Sequence, residues 1–250
     1  LLFNNNISIV TCNKKGNSSS YEQYSKFKRL AKKNNVSFLY ETNVGAGLPI
    51  IKTLNDLWIS GDEILKIEAI LSGTISYIFN NYVGDNTFAE VVRTAQELGY
   101  TEPDPRDDLN GMDFSRKMLI LGREIGLPLE MSNVNIKDFL PEACLKAESI
   151  PAFYEELEKH EPYFSSFKNE AENSGRKLRL IGVLEDGKIN IEVQIVDANH
   201  PFFGLSGSDN IISFTTSRYK NTPLVVKGPG AGAEVTAAGV FADLVRVTAQ

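Results

Sequence analysis

Two periods of hydrophobicity alternate along the chain. "ISIVT" (7–11) and "VSFLYE" (36–41) are short, β-branched or aromatic runs that read as buried strands. Between them Tyr24, Phe27, Leu30 and Ala31 recur at helical spacing behind Ser19 and Glu22, which fit a capping box. Strand, helix and strand in this order predict a βαβ unit with parallel strands and a right-handed crossover. "NVGAGLPII" (43–51) then breaks both periods and reads as a hinge between domains.

Beyond the hinge the order changes. "EILKIEAILS" (63–72) predicts a strand, and 74–82 predicts a helix. Thr87 and Glu90 form a second capping box ahead of Phe88, Val91, Val92, Ala95 and Leu98, with Gly99 as the stop. A third helix is predicted over 109–125, and an amphipathic one over 151–173. "KLRLIGVLEDGKINIEVQIVD" (177–197) is a hairpin about Asp186-Gly187. "NIISFTT" and "PLVVKG" predict further strands, and glycines lead into a closing Ala-rich helix. Elements that first alternate and then group argue for an α/β piece joined to an α+β piece. The first resembles the tail of a doubly wound nucleotide-binding sheet. Opening on Leu1 in mid-pattern, the chain reads as part of something longer.

Composition narrows the function classes. The 250 residues are 42% hydrophobic and 23% charged, which is ordinary for a globular protein. A net charge of −6 argues against a nucleic-acid partner. Cys12 and Cys144 have no CxxC partners, which argues against a disulfide framework or thiolate zinc site and for a reducing cytoplasm. No apolar run is long enough to span a membrane, and no signal peptide is recognisable. His160 and His200 show no partner pattern.

The chemistry concentrates in "GYTEPDPRDDLNGMDFSRK" (99–117). On the third predicted helix Asp113 and Lys117 share a face, and Asp108 lies near the helix start, where the dipole favours a carboxylate. Glu102, in a proline-braced loop, can fold back over that start. A lysine held beside carboxylates can polarise a carbonyl or exchange a proton with an alcohol. The same spacing also suits a solvated helix cap. A calcium loop through Asp104, Asp108 and Asn110 is disfavoured by Arg106 and Pro105.

"AQELGYTEPDPRDDLNGMDFSRK" (95–117) resembles the signature of the homoserine dehydrogenase family: an alanine, a glycine four residues on, an aromatic, a D-P pair, then D-L-x-G-x-D and a lysine. "VTCNKKGNSSSYEQY", "FLYETNVGAGLPII", "ILSGTISYIFNNY" and "GAGAEVTAAGVFADLVRV" resemble further family segments in family order, so the likeness covers nearly the whole chain. It looks like the dehydrogenase part of a bifunctional aspartokinase–homoserine dehydrogenase. The resemblance implies NAD(P)-dependent interconversion of L-homoserine and L-aspartate 4-semialdehyde in the aspartate-family pathway to threonine, methionine and isoleucine. It implies residues 1–47 as a partial Rossmann-like dinucleotide-binding domain, 48–228 as a mixed-sheet substrate-binding, catalytic and dimerisation domain, and 229–250 as a helix returning to the first.

The roles it implies are specific. Lys117 moves the proton at the substrate oxygen, with Asp113 beside it and Lys14 as a second lysine near substrate and nicotinamide. Glu102 and Asp108 hold the substrate ammonium, and Gly73, Thr74, Gly99 and Tyr100 line the pocket. Asn13, Lys14, Gly230, Ala231 and Gly232 touch the cofactor, which the sequence does not resolve into NADP or NAD. Ala233, Ala237, Ala238 and Gly239 let the last helix pack closely on the sheet. Cys12 stands where the family often has proline or alanine. "YETNVGAGL" (40–48) resembles a monovalent-cation loop in which the Glu41 carboxylate and the carbonyls of Val44, Ala46 and Leu48 would hold an ion such as sodium; without the resemblance it reads as a glycine hinge. "GPGAGAEVT" is not the GxGxxG fingerprint, and none occurs elsewhere in the chain. A homodimer or higher homo-oligomer is implied, with the 177–196 hairpin in a sheet shared between subunits. The rival expectations are a catalytically silent dimerising fragment and a related amino-acid dehydrogenase with another substrate.

Overall fold

The computed structural model describes residues 1–137 and 139–249. The predicted βαβ unit is present. β1 (Ile9–Val10) and β2 (Phe38–Leu39) pair in parallel, Ile9 opposite Phe38, on either side of α1 (Tyr21–Lys33). The α1 cap is Ser20 rather than Ser19. Ser20 Oγ accepts the Gln23 amide at 3.3 Å, whereas the Ser19 hydroxyl donates to the Gly16 carbonyl at 2.7 Å. No capping box forms there.

The glycine stretch leads into a helix the pattern does not announce, α2 (Ile50–Ile59). After it come β3 (Ile64–Ile70), α3 (Gly73–Asn81) and α4 (Phe88–Glu97). α4 carries the predicted Thr87–Glu90 capping box, and Gly99 ends it at φ +75°. The third predicted helix is two helices, α5 (Arg106–Leu109) and α6 (Met112–Glu124). Gly111, at φ +71°, breaks the run, and the Asn110 side chain accepts the Met112 amide at 2.8 Å to restart it. β4 (Val134–Ile136) and α7 (Glu142–Leu145) follow. The stretch predicted as one helix over 151–173 is α8 (Ile150–Lys159) and α9 (Glu161–Asn173), divided at His160 ahead of Pro162, whose ring cannot continue α8.

β5 (Lys177–Glu185) and β6 (Lys188–Val196) form the expected hairpin, with Asp186 and Gly187 both at positive φ, as a tight turn of matching twist requires. β7 (Asn210–Thr216), β8 (Leu224–Gly228) and α10 (Ala233–Thr248) complete the order. Among the described residues one mixed six-stranded sheet runs β4-β6-β5-β3-β7-β8, antiparallel except for the β4–β6 pair.

Alternation along the strands sorts side chains between two faces. Ile67, Ala69, Ile212 and Phe214 join the main core under the helices with Ile75, Ile78, Phe114 and Met118. Ile70, Ile181, Val196 and Ile211 point the other way, beneath Phe202 and Leu205 of the 197–209 segment. Buried Arg179 pins that segment by donating to the Phe202, Phe203 and Leu205 carbonyls. α6 sits hard on β5: a Cβ at Gly182 would lie 2.9 Å from Met118 Sδ and 3.0 Å from the Phe114 ring. That contact fixes the helix carrying Asp113 and Lys117.

Candidate active site

Lys117 lies on the buried side of α6, 9% exposed. Its ammonium donates to the Leu71 carbonyl at 2.6 Å, just past the end of β3, and meets Asp113 Oδ2 at 2.8 Å. The i,i+4 pair read from the sequence is therefore real. Asp113 is shared: its other oxygen lies 3.1 Å from Lys14 Nζ. Burial lowers the Lys117 pKa from the ordinary lysine value, Asp113 opposes the shift, and the Lys14 charge adds to it. For Asp113 burial works upward, but the two lysines outweigh it and its pKa is lowered.

Lys14 owes its place to a tight turn. Thr11 Oγ1 accepts the Asn13 amide, Asn13 Oδ1 accepts the Lys15 amide, and the Lys14 carbonyl accepts both the amide and the hydroxyl of Ser18. Buried Arg123, on α6, donates to the Asn17 carbonyl at 2.8 Å and so ties this turn to the helix carrying Lys117. Sequence spacing gave no sign of Arg123 in that role.

Asp108 belongs to α5, displaced from Asp113 by the Gly111 kink rather than continuous with it. Its Oδ2 accepts the Glu102 amide at 2.8 Å, and its Oδ1 accepts the Thr74 hydroxyl at 3.1 Å. The Tyr100 carbonyl lies 2.6 Å from the same Thr74 Oγ1, so the single hydroxyl proton is shared between this carbonyl and Asp108, the shorter contact being to Tyr100. Burial is the main cause of a raised Asp108 pKa, with Glu102 and Asp107 adding repulsion against the two hydrogen bonds. Glu102 does fold back over α5, through its backbone, and its side chain is exposed. A Cβ on Gly73 would meet the Ser208 carbonyl at 3.2 Å, whereas one on Gly99 would meet nothing within 4 Å. Gly99 serves its φ, and Gly73 serves a close approach. Tyr77, not singled out from the sequence, stacks on Tyr100; its position three residues after Thr74 was the available signal.

The calcium alternative fails on its own ligands, because Arg106 Nε takes both Asp104 oxygens at 2.9 and 3.1 Å. Among the described residues no group of three His, Cys, Asp or Glu side chains could hold a metal. In the 40–48 loop the Glu41 carboxylate accepts the Ile51 and Lys52 amides at 2.8 and 2.9 Å and so caps α2. Burial is the largest influence on Glu41 and raises its pKa against those bonds. Val44 and Ala46 are buried, Ala46 at φ +51°, and the Leu48 carbonyl accepts the Ile50 amide at 2.8 Å.

At the other side of Lys14, Cys12 shares an open groove with Gly232, Ala233, Thr236 and Phe241 of the α10 start. Gly230 packs directly on Asn210, whose Nδ2 would lie 2.0 Å from a Cβ there. α10 approaches the 42–47 loop through Gly239 alone of the four predicted small residues; Ala233, Ala237 and Ala238 are exposed. A Cβ on Gly239 would lie 2.5 Å from Thr42 Cγ2, and one on Gly47 would lie 2.5 Å from the Val235 carbonyl.

His160 and His200 stand apart from these groups, against Glu156 and Glu68. Both cysteines are free. Among the described residues no helix is long and apolar enough to cross a membrane.

Known proteins match this sequence and fold. The sequence model of the homoserine dehydrogenase family matches residues 49–245. A homoserine dehydrogenase of Schizosaccharomyces pombe is 45% identical over 252 residues, covering 98% of this chain and 67% of that protein. The chloroplastic bifunctional aspartokinase/homoserine dehydrogenase 2 of Arabidopsis thaliana is 49% identical over 243 residues, and the match covers 96% of this chain and 26% of that protein. The chain thus spans about a quarter of that relative's length. The crystal structure of a hyperthermophilic archaeal homoserine dehydrogenase in complex with NADPH superposes with a TM-score of 0.74 at 25% identity, covering 99% of this chain and 66% of that one. With a family match over most of its length and a 45%-identical relative two-thirds covered, the chain belongs to the homoserine dehydrogenase family.

Proposed function

We propose that the chain carries the substrate site of a homoserine dehydrogenase whose parent enzyme interconverts L-homoserine and L-aspartate 4-semialdehyde, with NADP or NAD, in aspartate-family amino-acid synthesis. These 250 residues alone are inactive, because they supply only part of the cofactor site. The observation that carries this reading is the Asp113 carboxylate shared between Lys117 and Lys14, with Asp108 and Glu102 on the neighbouring turn.

An ammonium has three donors, and in Lys117 two of them face Leu71 and Asp113. The third is left for the substrate oxygen. In the reductive direction the Lys117 ammonium gives its proton to the carbonyl oxygen; in the oxidative direction the neutral amine takes the hydroxyl proton. Burial eases that release, and the Asp113 carboxylate favours the charged form, so that the lysine takes a proton back from solvent after the step. Lys14 balances the charge on Asp113. Asp108 and Glu102 receive the substrate ammonium as charge-assisted acceptors, with Gly73, Thr74, Gly99 and Tyr100 shaping the pocket. When bound, the nicotinamide supplies or accepts the hydride at the carbon bearing that oxygen.

The residues present fit a nicotinamide at one edge only. Gly230 packs directly on Asn210, and Cys12, next to Asn13, shares a groove with Gly232, but no GxGxxG turn occurs among these 250 residues. Asn13, Lys14, Gly230, Ala231 and Gly232 are thus the contacts this chain would make. A sodium-like ion at the 44–48 loop would rest on the carbonyls of Val44, Ala46 and Leu48 and on the lone pairs the Glu41 carboxylate keeps beside the two amides it accepts. Residues 1–47, 48–228 and 229–250 are assigned as partial cofactor domain, catalytic and dimerising domain, and returning helix. The protein would work as a homo-oligomer in the cytoplasm, a compartment that suits two free cysteines.

Calorimetric titration with L-homoserine, in the presence and absence of NADP, tests the reading. Binding that weakens about tenfold or more in Glu102→Gln supports it, because a charge-assisted contact is lost. No homoserine binding under either condition would sink it.

A further inference from the structure

Thr74 and Tyr77 stand three residues apart on α3 and so share a face. Both reach the same residue. Thr74 Oγ1 donates to the Tyr100 carbonyl at 2.6 Å, and the Tyr77 ring stacks on the Tyr100 ring with centroids 4.4 Å apart and planes 22° apart. One turn of helix thus grips Tyr100 by its backbone and by its side chain.

The Gly99 and Tyr100 amides close the end of α4 on the Gln96 and Ala95 carbonyls at 3.0 and 2.9 Å, and the Gln96 side-chain amide donates to the Pro103 carbonyl, so the backbone of the turn is tied while its side chains stay open. Tyr100 is 41% exposed, and Gly99 before it faces open space at φ +75°. Two residues further on, Glu102 is exposed, and its amide donates to Asp108 Oδ2 at 2.8 Å. An exposed side-chain carboxylate such as that of Glu102 would lose conformational freedom on binding a cation, and that loss opposes affinity. Fixing the loop beforehand removes it.

We infer that Tyr77 is a positioning residue for the substrate site: its ring clamps the 99–102 turn onto α3 and holds the Glu102 carboxylate beside Asp108, where a primary ammonium binds. The inference rests on the reading of Glu102 and Asp108 given above. The ring, rather than the phenol hydroxyl, does the holding.

A double-mutant cycle tests it, with L-homoserine affinity measured by calorimetry on wild type, Tyr77→Ala, Glu102→Gln and the double variant. Tyr77→Ala should weaken binding about three- to tenfold, the worth of an aromatic pair. In the Glu102→Gln background the same change should cost little, because the carboxylate it positions is gone. Tyr77→Phe should bind as wild type does. A merely structural tyrosine would give equal losses in both backgrounds, and that result, or an unchanged affinity in Tyr77→Ala, overturns the inference. If Tyr77→Ala fails to fold, Tyr77→Leu keeps apolar bulk without the stack and takes its place in the cycle. Sensitivity to Glu102→Gln without sensitivity at Tyr77 defeats this inference alone; a wild type that does not bind homoserine defeats the parent reading as well.

Discussion

Asp108 and Asp113 stand five residues apart and are both partly buried, yet their pKa values move in opposite directions. Burial pushes both carboxyls up; two lysines reverse the effect at Asp113, and only an amide and a hydroxyl oppose it at Asp108. Asp108 is thus a carboxylate short of a cation, as an ammonium-binding residue should be. The sign of the linkage follows. With the native pKa above the ordinary 3.8, the native state holds more protons between the two values, so stability falls as pH rises through that window and stays reduced above it. Asp108→Asn has no such penalty. Its stability relative to wild type should improve between about pH 4 and pH 7, read from urea midpoints at both; a gap that stays constant or moves the other way would contradict the assignment. The Asp113–Lys117 pair was legible as an i,i+4 spacing. Lys14 came only through the family resemblance, because nothing local says that a turn after β1 will meet α6.

α10 shows how one missing methyl sets the position of an element. Gly239 brings the helix onto the 42–47 loop at a distance no side chain allows. Gly239→Ala would put a Cβ against Thr42 and the backbone of Ala46 and Gly47, an overpacking that should cost about 1–3 kcal/mol in urea unfolding. Ala238→Ser, on the exposed side of the same helix, should stay within about 0.5 kcal/mol. Equal effects would mean that α10 is not seated through Gly239. The elements that the sequence hid share one cause. α2 follows Pro49 without a local cap, and the Glu41 carboxylate, brought round by the 42–48 loop, accepts its first amides instead. Ser19 lost the α1 cap to Ser20 because Gly16 claimed its hydroxyl. The α5–α6 break was signalled by Asn110-Gly111, but the apolar period running across it masked the turn. Hairpin, capping box and βαβ unit were legible because each is specified by residues adjacent in the sequence.

At the scale of the whole molecule, the site depends on how the βαβ unit is tied to the helices under the sheet. α6 carries Lys117 near its middle and, about two turns on, Arg123 and Glu124 at its end. Arg123 holds the Lys14 turn through Asn17 and reaches the Leu129 carbonyl and Glu130, while Glu130 accepts the first amide of α1, that of Tyr21. The Glu124 side chain, 1% exposed, accepts the Tyr40 and Tyr24 hydroxyls and the side-chain Nδ2 of Asn55, and faces Lys28 at 3.3 Å. α1, the residue after β2, and α2 thus converge on one carboxylate at the end of α6. Glu124→Ala leaves the buried Tyr40 hydroxyl without that acceptor and should cost about 2–3 kcal/mol. The loss should be uneven. Amide exchange should quicken in α1 and β2 while β3, β5 and β7 keep their protection, because the sheet does not use this contact. Glu124→Gln, which keeps an acceptor for the tyrosines, should lie between. Homoserine affinity in Glu124→Ala should fall with the loosening, since the turn that brings Lys14 to Asp113 is held from the same helix end. Exchange that rises equally across the sheet would instead show a single cooperative unit, and Lys14 would then owe its position to the fold at large rather than to this tie.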